Sequence, residues 1–519
     1  MYTNNYAQSH LQAENAFGGT ATDRAYSIRQ TKDGGYIVAG STTSNNGQVH
    51  GNHAPGEPDY WVVKLSRTGS IQWQKCLGGA FDEVAFSIQQ TTDGGYVVAG
   101  EASSVNGQVV GNHGLLDVWV VKLDSSGNIA WSKAFGGSNN DFATSVSQTK
   151  DGGYIVAGGT NSNDGNVTGH HGSTATSDYW LIKLDASGNM QWQKTYGGSN
   201  GDIAMSAIQT KDGGYIVGGN SNSTNGDVTN VHDSIYGDAW IIKTDKLGNI
   251  QWQKAYGGSD YEQANSIQQT NDGNYIAAGW TRSNNGDVSG NHGNYDFWVI
   301  KIDTVGNLKW QKCLGGSNGD LAYGIEQTTD NGYIVAGGTT STDGQVTGLH
   351  GTDEDFWVTK LDASGNLQWQ QALGSNQFEE ARSVDQTKDG GYVVAGWTGF
   401  ANNNNGDVTG THGDYDMWIV KLSANAHTIS TQNISIQKNL QFILSPNPVN
   451  DFIRLNIISD KPSVLLQIIN SNGNIVQQQT ISINKNTNVF IDVSKLHTGV
   501  YRATIFAGKD ITSAQFIKN

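Results

Sequence analysis

Proline is almost missing, with five residues in 519. That excludes a collagen-like or Pro/Gly low-complexity chain. Charge is thin as well: Asp, Glu, Lys and Arg make up 15%, well under the usual ~25%. Basic residues are the scarcer sign, 31 against 47 acids, and the net charge is −16. Such a balance argues against a surface that tracks nucleic-acid phosphates. No apolar run approaches the ~20 residues of a membrane-spanning helix. Two cysteines cannot make a disulfide framework. What the chain has instead is 68 glycines, 15 tryptophans and 20 tyrosines. So much aromatic side chain does not suit disorder. With abundant glycine it points to many short strands joined by tight turns.

The strands belong to a repeat. The string Asp-Gly-Gly-Tyr-(Ile/Val)-Val-Ala-Gly, or a close variant, starts at Asp33, Asp93, Asp151, Asp212, Asp272, Asp330 and Asp389, in steps of 58–61 residues. Asp-x-Trp-(hydrophobic)₂-Lys also occurs seven times, around Trp61, Trp119, Trp180, Trp240, Trp298, Trp357 and Trp418. A third element, like Ile-Gln-Trp-Gln-Lys-x-x-Gly-Gly, places Trp73, Trp131, Trp192, Trp252, Trp310 and Trp369. Thirteen of the fifteen tryptophans are thus repeat positions, leaving Trp280 and Trp397. In the second repeat the expected strands are Phe86–Thr91, Tyr96–Gly100, Val118–Leu123 and Ile129–Lys133. The middle two are continuous apolar runs, the pattern of strands covered on both faces. Four strands per repeat, seven times, predict an all-β, seven-bladed β-propeller over residues 1–422.

The ends of the array point to closure. The seventh repeat stops near Lys421 without a fourth strand, and Leu11–Gly19 aligns with Ile71–Gly79. The N-terminal strand is therefore expected to complete the last blade, which hides the edges an open array would expose. Cys76 and Cys313 sit at the same position of non-adjacent repeats. They should lie too far apart for a disulfide, which needs Cα atoms within about 7 Å, and are expected to be free thiols.

Residues 423–443 read as a polar linker, and 444–519 lack the repeat. This tail carries Ser445-Pro446-Asn447-Pro448, Ile453-Arg454-Leu455-Asn456-Ile457 and Asn470-Ser471-Asn472-Gly473. Leu496-His497-Thr498-Gly499-Val500-Tyr501 and Gln515-Phe516-Ile517-Lys518 follow. It resembles the type A (Por) C-terminal sorting domain of type IX secretion substrates of Bacteroidetes. The repeats are similar, less specifically, to tandem Gly-Gly-Tyr-Ile-Val-Ala-Gly repeats of surface proteins in those bacteria. The resemblance implies a small β-sandwich read by the type IX translocon, with Pro446, Asn447, Pro448, Gly473, Gly499, Tyr501 and Lys518 as its landmarks. It also implies a secreted or outer-surface protein, released or attached once the tail is removed. Family members carry a signal peptide; Met1–His10 has neither its basic nor its apolar region, so the leader is expected to be truncated or removed here.

The loop between the second and third strands of each repeat carries a histidine and then the Asp of Asp-x-Trp. The histidines are His53, His113, His171, His232, His292, His350 and His412. The aspartates are Asp59, Asp117, Asp178, Asp238, Asp296, Asp355 and Asp416. The blade connection adds Asp23, Glu83, Asp141, Asp202, Glu262, Asp320 or Glu379 two residues before an alanine, on the same face by strand parity. Equivalent histidines on a ring of radius ~10 Å would stand ~9 Å apart, too far to share a zinc that needs donors at ~2.1 Å. Asn163–Asn166 and Asn285–Asp287 have too few carboxylates for a typical calcium loop. No metal or cofactor is expected; the sevenfold set reads as a His–acid–Trp tie that stiffens each blade. Nucleophile-elbow, zincin and phosphate-loop motifs are absent, so no catalytic residue is assigned.

Function should sit where repeats differ. Trp280 and Trp397 follow the second strand of their blades, on the loop-bearing face, and could stack on sugar rings or a partner protein. His170 beside His171, and Phe400 with Asn402–Asn405, are the other departures. The expectation is a monomeric, non-catalytic propeller that binds extracellular glycan or protein. The alternative is an exported glycan-active hydrolase or lyase using acids on the same face.

Overall fold

The computed structural model describes residues 11–518 apart from 233–234, 400–405, 425–439, 446–448, 450–451, 460, 471–473, 484–485 and 509. Phe400, Asn402–Asn405, Pro446, Asn447, Pro448 and Gly473 lie outside the described residues. Among the described residues every regular element is a strand, and there is no helix. The chain divides into two compact units, Met1–Ile429 and Ser430–Asn519.

The first unit is a series of four-stranded antiparallel sheets, seven among the described residues. In the first sheet, Asp23–Gln30, Tyr36–Thr42, Asp59–Leu65 and Ile71–Leu77 pair in chain order. In the second, Tyr96–Ala102, Asp117–Leu123 and Ile129–Phe135 run beyond the expected bounds, and the inner strand, expected over Phe86–Thr91, spans Glu83–Gln90. The seventh sheet orders Glu379–Gln386, Tyr392–Gly399, Tyr415–Leu422 and then Leu11–Phe17 from the other end of the unit. There the Trp418 indole N–H donates to Glu14 at 2.9 Å. In the first sheet the equivalent indole, Trp61, uses Gln74 of its own outer strand at 2.9 Å.

The apolar runs follow from sheet stacking. Tyr36–Thr42 and Asp59–Leu65 are buried at every position, because one face meets the previous sheet and the other the next. Ile37, Ala39 and Val62 of the first sheet thus share a core with Ile88, Val98 and Trp119 of the second. The cores lie between sheets, and each sheet belongs to two of them.

Turn chemistry supplies the links. In the Asp-Gly-Gly hairpin, Gly34 has φ +85°, a left-handed backbone that favours glycine. Asp33 accepts from the Thr31 hydroxyl and the Gly35 N–H, and Lys64 of the third strand pairs with it at 3.0 Å. The same Lys–Asp pair recurs in all seven sheets. From the next turn residue, Lys32, the backbone N–H reaches across to Gln90 of the second sheet at 2.8 Å. That bond repeats sheet by sheet, and its seventh copy runs from Lys388 back to Gln30 of the first sheet at 2.8 Å. Cys76 and Cys313 are free and buried; burial pushes the Cys76 thiol up to about 12, which leaves it inert.

The second unit holds a three-stranded sheet, Leu440–Ser445, Phe452–Ser459 and Asn486–Asp492, and a four-stranded one. The latter orders Ile475–Ser482, Ser463–Asn470, Gly499–Ala507 and Asp510–Lys518. Ile453, Leu455 and Ile457 of the first sheet join Leu466, Ile505 and Phe516 of the second in one buried cluster. Tyr501 stacks on Phe516 with ring centroids 5.6 Å apart and donates its hydroxyl to the His497 carbonyl at 2.8 Å. Gly499 pairs with Lys518 across the last two strands. Those two positions and Tyr501 are therefore parts of one sheet edge and its core.

Candidate functional site

The inner strand of every sheet contains a β-bulge. In the first sheet the pairing passes from Ala25 opposite Gly40 to Ser27 opposite Ala39, leaving Tyr26 without a partner. The same slip leaves out Phe86, Thr144, Met205, Asn265, Tyr323 and Arg382 in the other six sheets. A bulge bends its strand and re-aims the extra side chain. Here all seven extra side chains line one cavity of about 550 Å³. They also line a narrower space with Ser27, Ser87, Ser145, Ser206 and Ser383, the residues that follow the bulge. Most of these serines serve the framework. The Ser27 hydroxyl accepts from the Ile88 N–H at 3.3 Å, Ser87 from Val146 at 3.1 Å, and Ser383 from Ile28 at 3.2 Å.

The cavity has two unlike walls. Phe86, Leu116, Phe142, Ile203 and Met205, from the second to fourth sheets, make one mainly of carbon, interrupted by Glu101, Asn140, Thr144 and Asn161. Tyr26, Tyr323 and Arg382 face them from the first, sixth and seventh sheets, with Asn265 from the fifth. Arg382 is held by packing as much as by charge. Its guanidinium lies 3.9 Å from the centroid of Tyr323 and 4.8 Å from that of Trp397, and pairs with Glu380 at 2.7 Å. Arg24 flanks the other side, 5.2 Å from Trp397 and 4.9 Å from Tyr415. Glu354 is packed close by, its carboxyl lying against Gly338 where a Cβ would displace it. Burial, then the neighbouring Glu380, pushes the Glu354 carboxyl up to about 8. Its Oε1 is buried without a hydrogen-bond partner. Glu101, at the cavity's second-sheet side, is pushed up to about 7 by burial and then by Asp82.

Both tryptophans outside the repeat stand behind this wall rather than on it. Trp397 is 4% exposed and packs edge-on to Tyr26 at 5.4 Å. Trp280 is half-buried and edge-on to Tyr323 at 5.5 Å. Neither lines the cavity itself. His170 is tied down as well, its Nε2 2.9 Å from the Thr176 carbonyl.

The repeated loop residues are framework. His53 contacts Asp59 through Nδ1 at 2.6 Å, and its backbone N–H donates to the same oxygen at 3.0 Å. The pairs His113–Asp117, His171–Asp178, His232–Asp238, His292–Asp296 and His350–Asp355 close in the same way at 2.6–2.8 Å. At His412 the N–H reaches Asp416 at 2.5 Å while the ring stands 3.7 Å away. The tryptophan half of the expected tie does not form. Its indole donates to the outer strand instead, as Trp240 does to Gln253 at 2.7 Å. Three histidines reach one sheet further, as His350 does to Asp407 at 3.5 Å. The connecting acids also turn inward: Asp23 accepts from the Gly19 N–H at 2.7 Å and the Ser44 hydroxyl at 2.9 Å. Among the described residues no three His, Cys, Asp or Glu converge on a metal position.

Sequence reasoning missed the bulge residues. The signal was a fixed frame around a free position: Ala-Tyr26-Ser, Ala-Phe86-Ser, Ala-Thr144-Ser, Ala-Met205-Ser, Ala-Asn265-Ser, Ala-Tyr323-Gly and Ala-Arg382-Ser.

Comparison with known proteins divides the chain the same way. Residues 444–519 match the secretion system C-terminal sorting domain. The chain carries a type IX sorting tail. It is thereby marked for export of the Bacteroidetes type. A 163-residue stretch is 28% identical to the regulatory protein FlaEY of Caulobacter vibrioides, covering 30% of this chain and 17% of that protein. The chain thus spans less than a fifth of that relative's length. Among solved structures, a fungal alcohol oxidase of the AA5 family, in complex with copper, is similar with a TM-score of 0.45 and 12% identity. That likeness covers 98% of this chain and 99% of the oxidase. Sqt1 of Chaetomium thermophilum has a TM-score of 0.38 at 10% identity, covering 80% and 99%.

Proposed function

We propose that the seven sheets are the blades of a closed β-propeller, its last blade completed by Leu11–Phe17, followed by a small β-sandwich sorting domain. In this reading the propeller is an exported, non-catalytic binding module for an extracellular glycan or protein, and the ligand enters the axial cavity. One observation carries it: seven bulges aim seven side chains of six different types into one space. Framework positions repeat, whereas this cavity is lined by different residues at equivalent positions, mainly apolar with a few polar groups, as small-molecule sites are. Closure is supported by the pairing of Leu11–Phe17 with Tyr415–Leu422 and by the Lys388–Gln30 bond.

The second reading, a glycan-active enzyme, is favoured by Glu354 and Glu380, a carboxyl that holds its proton beside one paired with arginine. Neither lines the cavity, so a substrate there would not meet them, and binding ranks first. The full chain is screened against glycan and surface-protein arrays beside Thr144→Trp, which fills the cavity. Capture that falls at least tenfold in Thr144→Trp supports the cavity as the site. Equal capture refutes it, and product release abolished by Glu354→Gln would establish the enzyme instead.

A further inference from the structure

We infer that the axial cavity is built for an amphipathic monocarboxylate. Its apolar body would lie on Phe86, Phe142, Ile203 and Met205, and its carboxylate on the guanidinium of Arg382. The inference rests on the proposed cavity site and adds the ligand's chemical class, which the repeat pattern alone does not give.

Size sets the first bound. A cavity of about 550 Å³ falls within the ~300–1,000 Å³ of small-molecule sites and is too small for a folded partner. Polarity sets the second. Phe86, Phe142, Ile203 and Met205 offer no hydrogen-bonding side-chain group, and Glu101, Asn140 and Asn161 beside them are too few for the many hydroxyls of a sugar ring, which would lose much of its water without replacement. An aliphatic or aromatic body would gain by the same burial.

Charge sets the third. Arg382 is 29% exposed at the side chain, which leaves part of its donor fork open toward the cavity it lines. Its Nε, like that of Arg24, is buried without a hydrogen-bond partner. Glu380 pairs with Arg382 at 2.7 Å, while burial pushes the Glu354 carboxyl up to about 8. Arg24 and Arg382 against the paired Glu380 leave a net positive charge. A carboxylate balances it and can engage an arginine fork; a phosphate dianion would overshoot.

A pH dependence follows. Glu354 is faced by Glu380, Arg382, Asp320 and Asp355, and Glu101 by Asp82. Both Glu354 and Glu101 gain negative charge as pH rises through their raised values. Glu354 then competes for the guanidinium, and Glu101 repels the anion. Affinity for a carboxylate therefore falls from pH 6 to pH 9.

The test is calorimetric titration of the full chain with 4-phenylbutyrate, its uncharged amide, glucuronate and phenyl phosphate. The inference expects 4-phenylbutyrate to bind at least tenfold tighter than each of the others. Met205→Gln, which places an amide on the apolar wall and keeps every charge, should weaken it severalfold. Arg382→Gln should erase the preference over the amide, and Glu354→Gln should flatten the fall toward pH 9. Arg382→Gln leaves Glu380 unpaired and could misfold, so Met205→Gln and the pH profile decide without it. No binding of 4-phenylbutyrate, equal binding of its amide or glucuronate, or an unchanged affinity in Met205→Gln overturns the inference. A ligand from the arrays that needs an open cavity while 4-phenylbutyrate fails would overturn the carboxylate class and leave the cavity reading intact. No cavity-dependent capture of any kind overturns both.

Discussion

Seven histidine–aspartate contacts brace the long loops with the same two residue types in every sheet, six through the ring and the backbone and the seventh through the backbone alone. Seven bulge residues line the cavity, and their types differ: tyrosine, phenylalanine, threonine, methionine, asparagine, tyrosine and arginine. The two sets occupy equally regular geometry, so geometry does not explain the difference. What separates them is the work each residue does for its own sheet. Asp238 is fully buried and accepts from both the ring and the backbone of His232. Any other side chain there would orphan those donors. A bulge residue is skipped by the ladder, so its identity is less constrained, even where its side chain finds a partner, as Thr144 does in the Ala204 carbonyl at 2.8 Å and Asn265 in the Ala322 carbonyl at 2.7 Å. The comparison teaches that the framework constrains loops tightly and leaves the cavity lining open to specialise.

The comparison breaks hardest at the closing strand. Deleting residues 1–17 strips Tyr415–Leu422 of its outer partner, leaving it paired with Tyr392–Gly399 alone, and leaves the Trp418 indole N–H without Glu14. An exposed edge of this kind also invites aggregation. Scanning calorimetry should show a melting temperature lowered by roughly 10 °C or more. A shift of under about 2 °C would mean that the seventh sheet does not depend on that strand.

Next in size is a matched pair of single substitutions. Asp238→Ala should cost about 1–3 kcal/mol, because the His232 donors lose their buried acceptor. Met205→Ala, half-buried on the cavity, should stay within about 1 kcal/mol. Urea denaturation of both separates framework from lining. Equal losses would erase the distinction.

The acids buried inside the first unit give the third prediction. Burial and then the nearby Asp385 push Glu326 up to about 8, and Glu354 behaves alike. A carboxyl raised in the folded state is ionised more readily when unfolded, so folding loses stability as pH climbs from about 5 to about 8. Melting temperature should therefore decline across that window, and Glu326→Gln should decline less. A wild-type melting temperature that rises from pH 5 to pH 8 would contradict the assignment.

Much of this was readable before any coordinates. The period, the Asp-Gly-Gly turns and the double-faced apolar runs are local properties, each fixed by a few adjacent residues, and the sheets follow from them. The site was harder for a physical reason. A bulge is a slip between two strands, and neither strand's sequence displays the slip alone. Trp280 and Trp397 drew attention by rarity, yet rarity says nothing about direction; they pack edge-on to Tyr323 and Tyr26. Glu354 was invisible because it comes from a loop of variable length and matters through what it covers at Gly338. The free position inside Ala-x-Ser was the legible trace.

The smallest effect sharpens the comparison from the framework side. The Lys–Asp pairs at the hairpins also recur seven times, but their aspartates are more than half exposed: Asp33 at 56%, with Lys64 at 4%. Burial works against ionisation of Asp33, yet the Thr31 hydroxyl, Lys64 and the Gly35 N–H hold it down at about 2. A carboxyl lowered in the folded state contributes stability above its unfolded value, and the contribution disappears as pH falls toward 2. Solvent screens most of it at so exposed a site, so Asp33→Asn should cost no more than about 1 kcal/mol at pH 7. The cost should shrink as pH falls from about 4 through 2. Lys64 retains the Leu65 carbonyl at 2.9 Å, which limits the damage further. Urea titrations at both pH values check this. A loss above about 3 kcal/mol at pH 7 would put the exposed pairs in one class with the buried His–Asp contacts, and recurrence rather than burial would then be the better guide to what holds the sheets.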